Sequence, residues 1–291
     1  MQDTQDMIQR LNLSGKKLSK SHRRIAEYIV QHYDKAVFMT AAKLGEMVSV
    51  SESTVVRFAV ALGYEGYPQL QRSLQELVRH RLTVTQRFEM SSDINQQNVL
   101  PTVLKTDMQN IRSTIEEIDD GIFQQVVETI QSAKRIYILG LRSAAPLAQF
   151  AGYYLHYIFD DVRVVATGTT DVFESISRVE EGDVLLGISF PRYSSRTIEA
   201  MTFARTHKAK VIGLTDGAMS PLHDVADICL SVHTDMASFV DSMVAPLSLI
   251  NALIVALSQC KRQQVSAYFA QMESIWDEYQ VYLGKDRGTN E

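Results

Sequence analysis

The chain has 291 residues, 45% of them hydrophobic and 22% charged, with a formal net charge of −5 and a pI near 5.8. At about 150 residues per domain that length points to two domains, and the apolar content supplies packed cores and excludes a disordered chain. The opening MQDTQDMIQR lacks an apolar h-region, so no secretory signal is expected, and the longest apolar stretch, Met243 to Leu257, is too short and too interrupted by Pro246 and Asn251 to cross a bilayer.

Charge divides unevenly. Residues 1 to 90 hold 13 Lys and Arg against 9 Asp and Glu, whereas the rest hold 16 against 25. A basic front on an acidic body is the asymmetry of a DNA-binding head joined to a separate module. Lys16, Lys17, Lys20, His22, Arg23 and Arg24 cluster just before an apolar helix expected from Ile25 to Tyr33. They are candidate phosphate contacts, and each could equally be a solubilising charge.

Ala41, Leu44 and Val48 recur at helical spacing, and so do Val55, Phe58, Ala59 and Leu62, which predicts two short helices a turn apart. Ser49 with Glu52 fits a capping box, but Ser51 is the better start for the second helix, because it leaves the three or four residues that a helix-turn-helix turn allows. Gly63 suits a left-handed exit. In that geometry the first turn of the second helix enters the major groove. Ser51, Ser53, Thr54 and Arg57 can then reach bases or phosphates, with Lys43, Lys20 and Arg23 as further DNA contacts. Arg57 is the strongest candidate, since its planar fork can make two bonds to a guanine edge or a phosphate.

The polar stretch from Thr83 to Asn98 has no sustained period and reads as a linker, giving a head over residues 1–82, a linker over 83–100 and a body over 101–291. Two helical patterns follow, Thr102 to Glu117 and Gly121 to Ser132. Then strands and helices alternate: RIYILG, a helix from Ala144 to Phe159, VRVVA, a helix from Asp171 to Arg178, DVLLGIS, a helix from Ser195 to His207, KVIGLT and ICLSV. Short apolar strands separated by helices predict a five-stranded parallel, doubly wound, flavodoxin-like α/β sheet behind an all-α head. Ligands of such sheets sit beyond the C-terminal strand ends, at the switch in strand order.

Two strand-end loops carry the informative residues: Gly140, Leu141, Arg142 and Ser143, then Ser189 through Arg192 to Ser194 and Ser195. Each precedes a helix, whose free amides favour a small anion. Gly140, Arg142, Ser143, Ser189, Arg192, Ser194 and Ser195 are therefore the candidate effector residues, although serines there can also be plain helix caps. No HExxH, nucleophile elbow or Cys/His pair is present, so no catalytic set is expected. Glu199 and His156 would be the only bases to hand if the pocket performed sugar chemistry. Cys229 and Cys260 lack metal-site spacing, which implies no metal or other cofactor, two buried thiols and a reducing cytoplasm. A helix from Phe239 to Leu257 and a last one from Gln264 to Leu283, striped with Val265, Phe269, Met272, Ile275, Trp276, Tyr279 and Leu283, suggest a homodimer or higher oligomer. Intrachain packing would explain these stripes equally. Tyr153, Tyr154 and Tyr157 fit core or interface.

With SESTVVRFAVALGYEGY in the first half and ILGLRSA and GISFPRYS in the second, the chain resembles the RpiR family of bacterial transcription regulators over roughly residues 5 to 280. The resemblance implies a helix-turn-helix domain followed by a sugar isomerase (SIS) domain that binds a small effector, commonly a sugar phosphate, and it puts Ser143 and Ser189 on phosphate-holding positions. The second loop departs from the SxSGxT pattern by carrying Phe190, Pro191 and Arg192, and the first has Arg142 where a glycine or small residue is common. The expected protein is a sequence-specific regulator, expected to repress, bound as a dimer to a pseudo-palindromic operator in double-stranded DNA and controlled by an anionic metabolite. A phosphosugar isomerase with an accessory N-terminal domain is the alternative.

Overall fold

The computed structural model describes residues 18–37, 39–79, 83–90, 98–166, 171–236 and 238–283. It divides into two compact units, the chain to Leu100 with Ala237–Val240, and Pro101–Met236 with Asp241–Glu291.

The first unit is helical: α1 (Lys20–Gln31), α2 (Tyr33–Ala36), α3 (Ala41–Val48), α4 (Glu52–Ala61), α5 (Tyr67–Arg79) and α6 (Val84–Met90). Ile25, Ile29, Leu44, Val55, Phe58 and Leu70 form its core. Ser19 caps α1 by accepting from the His22 amide at 3.2 Å, so the helix begins five residues before Ile25 and Lys20, His22, Arg23 and Arg24 lie inside it rather than ahead of it. Lys16 and Lys17 lie outside the described residues. Thr40 caps α3 through the Lys43 amide at 3.2 Å. Ser49 ends α3 in the left-handed region at φ 53°, which rules it out as the cap of α4; Ser51 holds the N-cap position, although its side chain makes no cap hydrogen bond. Gly63 adopts φ +96° at the exit of α4. The Tyr67 hydroxyl donates to the Met39 carbonyl at 2.7 Å, and burial pushes its pKa up to about 12. α6 falls where an unpatterned linker was expected. Its Arg87 is 2% exposed, so the burial of one long side chain, invisible to a search for apolar periodicity, accompanies this helix.

The second unit contains α7 (Val99–Glu117), α8 (Asp120–Gln131), β1 (Ile136–Gly140), a 3-10 turn (Arg142–Ala144), α9 (Ala145–Leu155), β2 (Val162–Val165), α10 (Val172–Ile176), β3 (Val184–Ile188), α11 (Ser195–Thr206), β4 (Lys210–Thr215), α12 (Leu222–Val225), β5 (Ile228–Ser231), α13 (Val244–Cys260) and α14 (Arg262–Glu278). All pairings are parallel, in the order β2-β1-β3-β4-β5. The order reverses between β1 and β3. Alternation along each strand sends Ile136 and Ile138 into one core with α8, α9 and α13, and Tyr137 and Leu139 into a second core with α10, α11 and α12. Both faces are thereby covered, as the runs of apolar strand residues required.

α13 starts at Val244 rather than Phe239. The preceding segment is irregular and is tied down by the Ser242 hydroxyl, which donates to Asp107 of α7 at 2.6 Å; Pro246 then falls in the first turn, where it removes no helical hydrogen bond. α14 ends at Glu278, short of Leu283. The polar face of α7 also holds the exit of β5: Asn110 exchanges two hydrogen bonds of 2.9 Å with the Asp235 backbone, the Thr114 hydroxyl accepts from the His233 amide at 3.0 Å, and Glu117 meets His233 Nε2 at 2.8 Å. Among the described residues no single helix is long and apolar enough to cross a membrane.

The cysteines are not both buried: Cys229 is half-buried and Cys260 exposed at the end of α13. Burial pushes the Cys229 thiol up to about 11, which keeps its reactive thiolate scarce. Iodoacetamide at pH 8 should therefore label Cys260 about tenfold or more faster than Cys229, read by peptide mass spectrometry; equal rates would contradict this.

Candidate functional site

Two places collect the residues that sequence singled out. The first is the start of α4. Ser51 precedes it but does not cap it; its hydroxyl pairs with those of Ser53 at 2.9 Å and Thr54 at 2.8 Å. These hydroxyls form one exposed polar group on the first turn. Arg57, one turn on, donates from Nε to the Ser53 carbonyl at 3.2 Å, which orients the guanidinium beside that group and leaves its terminal nitrogens for a partner. The His22 ring stands edge-on to Phe58, with centroids 5.6 Å apart, so the basic first turn of α1, with Lys20 and Arg23, is packed against α4. Cations at a helix N-terminus oppose the helix dipole, and α1 has no acidic residue in its first turn. A phosphate would suit both charges. Lys43 is less available than the others, since it pairs with Glu46 at 3.0 Å.

The α3–α4 geometry depends on Gly45, where a Cβ would sit 2.8 Å from the Val50 carbonyl oxygen in the turn. Gly45→Val should cost about 1–3 kcal/mol by overpacking and weaken DNA binding by distorting the turn. Thermal melts of the variant are the check, and an unchanged melting temperature would show that the turn yields freely.

The second place is the switch point. Gly140 of β1 and Ile188 of β3 are register partners, so the loops that follow them leave neighbouring strands. A Cβ on Gly140 would meet the Ala144 carbonyl oxygen at 2.6 Å and the Ala148 Cβ at 2.8 Å, because the 3-10 turn folds back over the strand end. Arg142 and Ser143 are exposed on that turn, Ser189 is 5% exposed, and Arg192 and Ser195 are exposed. Ser194 precedes α11 without capping it, and neither Ser143 nor Ser195 supplies a cap hydrogen bond there or at α9. Plain capping therefore does not explain these serines, and the first-turn amides of α11 lack a side-chain cap. Thr197 in that first turn is buried, and its hydroxyl has no hydrogen-bond partner.

The departures from the expected loop pattern have a backbone explanation. Arg142 has φ 56° and Arg192 φ 67°, both in the left-handed region, where a non-glycine residue costs on the order of 1–3 kcal/mol. Neither guanidinium makes a hydrogen bond or ion pair among the described residues, whereas Arg196 is paired with Glu199 at 3.3 Å. Phe190 is 5% exposed and part of the core beside α9 and α13, and Pro191 is also buried. The aromatic is thus absorbed by the core.

Sequence reasoning missed the end of β4. Thr215 donates to Ser220 at 2.6 Å and to Asp216 Oδ1 at 3.2 Å, and the Tyr193 hydroxyl donates to the same oxygen at 2.7 Å. The signal was present in GLTD, a strand running into a polar pair, like the two loops that were singled out. The two candidate bases sit differently. His156 closes α9, Nδ1 2.6 Å from the Gly152 carbonyl, and α9 runs back from the C-terminal end of β1, so it lies at the opposite sheet edge. Glu199 is exposed and paired with Arg196.

Against known proteins, the rpiR-family helix-turn-helix domain matches residues 5–80 and the SIS domain residues 129–256. The HTH-type transcriptional regulator HexR of Pseudomonas aeruginosa is 25% identical over 261 residues, covering 87% of this chain and 89% of HexR. Among solved structures, the Vibrio vulnificus NanR protein complexed with ManNAc-6P shares 20% identity with a TM-score of 0.57, covering 94% of this chain and 98% of that one. The sugar isomerase domain of an RpiR transcription factor from Sphaerobacter thermophilus shares 21% identity with a TM-score of 0.58, over 61% of this chain and 99% of that one. At these identities the structural likeness is one of fold.

Proposed function

The chain belongs to the rpiR family of helix-turn-helix transcriptional regulators with a SIS domain, and we propose that its switch-point loops bind an anionic metabolite that controls DNA binding by the head. What supports this reading is the start of α11, which no side chain caps, beside the Gly140 loop: Arg142 and Ser143 follow one strand end, and Ser189, Arg192, Ser194 and Ser195 follow its neighbour. That is the chemistry of a small-anion site. The phosphosugar in the NanR complex supports a sugar phosphate or relative as ligand. On this reading Ser51, Ser53, Thr54 and Arg57 face the operator, with Lys20, Arg23 and Lys43 on the flanking backbone, residues 1–82 act as the head and 101–291 as the effector domain.

We further propose a sensor without turnover, since His156 stands at the far end of α9 from the loops and Glu199, one turn into α11, is engaged by Arg196 at 3.3 Å. The exposed aromatic and apolar side chains of α9 and α14, including Tyr153, Phe269 and Ile275, with Tyr279 just after α14, are the proposed contact between two copies, which would present two heads to a pseudo-palindrome. Fluorescence anisotropy with the DNA upstream of the protein's own coding region tests the core of this. Affinity should fall with salt at a log–log slope of about −0.9 per phosphate contact and should shift when hexose phosphates are added. Conversion of those phosphosugars by the purified protein would instead favour the isomerase reading.

A further inference from the structure

The outer face of α4 carries more than hydroxyls and a guanidinium. Its exposed side chains are Glu52, Ser53, Val56, Arg57, Val60 and Ala61, with Val56 38% and Val60 54% exposed. Valine at a solvent-facing helical position is unfavourable twice over: its β-branch is restricted against the preceding turn, and its methyls stay in water. The core does not explain the pair, since the buried side of this ten-residue helix is already filled by Val55, Phe58 and Ala59. Position distinguishes the two. Val56 lies three residues after Ser53 and directly before Arg57, and a helical side chain covers the turn N-terminal to its own Cα. Its methyls therefore lie on the Ser53 side of the first turn, over which Arg57 also bends back, its Nε bonded to the Ser53 carbonyl at 3.2 Å. Val60 stands a full turn further from that end. Hydroxyls and guanidinium suit the polar edges of bases and the phosphates. The apolar group that a major groove presents is the C5-methyl of thymine.

We infer that Val56 packs against the C5-methyl of a thymine beside the base or phosphate that Arg57 contacts, so that α4 reads one base pair by apolar contact. This rests on the reading above that the start of α4 faces DNA. A duplex selected by the full chain from a random-sequence pool is the probe, and each of its thymines is replaced in turn by deoxyuridine, which keeps the pairing and removes only the methyl. At one position affinity should fall about fourfold, the worth of one buried methyl, read by fluorescence anisotropy. Val56→Ala should weaken binding to the thymine duplex by a similar factor, and deoxyuridine at that position should then cost nothing further, the non-additivity of two groups in contact. Val60→Ala should leave the deoxyuridine effect in place. Because Val56 is exposed and alanine is the better helix former, Val56→Ala should melt at or above the parent's temperature; Val56→Ile, which keeps the branch, is the second variant and should keep the thymine preference. A selected site without thymine, or one whose affinity no deoxyuridine changes, overturns the inference and leaves DNA reading by Arg57 standing. So does a deoxyuridine effect that survives Val56→Ala or that Val60→Ala removes. A pool that yields no preferred sequence overturns both.

Discussion

Replacing Arg135 with leucine is expected to destabilise the second unit by about 3–5 kcal/mol, the usual cost of leaving a buried charge without its partner. Arg135 stands just ahead of β1 and donates to Asp161 at 2.9 Å, to the Tyr137 hydroxyl at 3.1 Å, to the Arg178 carbonyl at 2.9 Å and to Asp183 at 3.4 Å. Asp183 is 1% exposed; one of its oxygens accepts from the Glu180 amide at 3.0 Å and the other has no partner. With the guanidinium gone, that carboxylate would be a buried anion facing leucine. Hydrogen bonds to Tyr137 and Asp161 hold the Arg135 pKa above its ordinary value, so the cation persists at any working pH. Burial pushes the Asp161 carboxyl up, but Arg135 and Arg163 outweigh it and hold the pKa below the usual value. A depressed carboxylate stabilises the fold above its ordinary pKa, and that contribution disappears as pH falls through the lowered value. Urea unfolding at pH 7 measures the main effect, and a loss under 1 kcal/mol would mean that water replaces the guanidinium.

Arg57→Ala should cost about 1–3 kcal/mol of operator affinity and relax preference at one base pair, without altering effector binding. Its Nε bond to the Ser53 carbonyl holds the side chain near one orientation before DNA arrives, so little rotamer entropy remains to be lost. Lys20→Ala gives the contrasting signature: weaker binding to all sequences and a salt slope smaller by about one. Anisotropy titrations against operator and scrambled duplexes at two salt concentrations separate the pair. Should Arg57→Ala weaken both duplexes equally, the residue grips phosphate and reads no base.

The helix-turn-helix was legible because its signals are local: Ser51 begins α4, Thr40 caps α3 and Gly63 ends the pair, each by the backbone chemistry of a single residue. The sheet was legible through its strands, whose burial on both faces imposes uninterrupted apolar runs. Long-range pairs gave no local trace. Nothing in the sequence links Ser242 to Asp107, which sets where α13 begins, or joins Tyr193 to Asp216 across two strand ends. Arg142 and Arg192 were visible as departures from a glycine pattern, yet their left-handed backbone emerges only in three dimensions. His156 looked available because a one-dimensional reading does not show that the end of α9 faces away from the loops.

The seat of α7 has a mechanical consequence. Its inward face is polar, bonded through Asn110 and Thr114 to the backbone after β5, while Leu104, Met108 and Ile115 are 53%, 70% and 70% exposed. A greasy seat lets a helix roll, since apolar contacts have no direction. A seat of hydrogen bonds does not, because a modest rotation breaks their alignment. The two bonds between Asn110 and Asp235 therefore act as a spline that fixes the azimuth of the helix against the β5 exit.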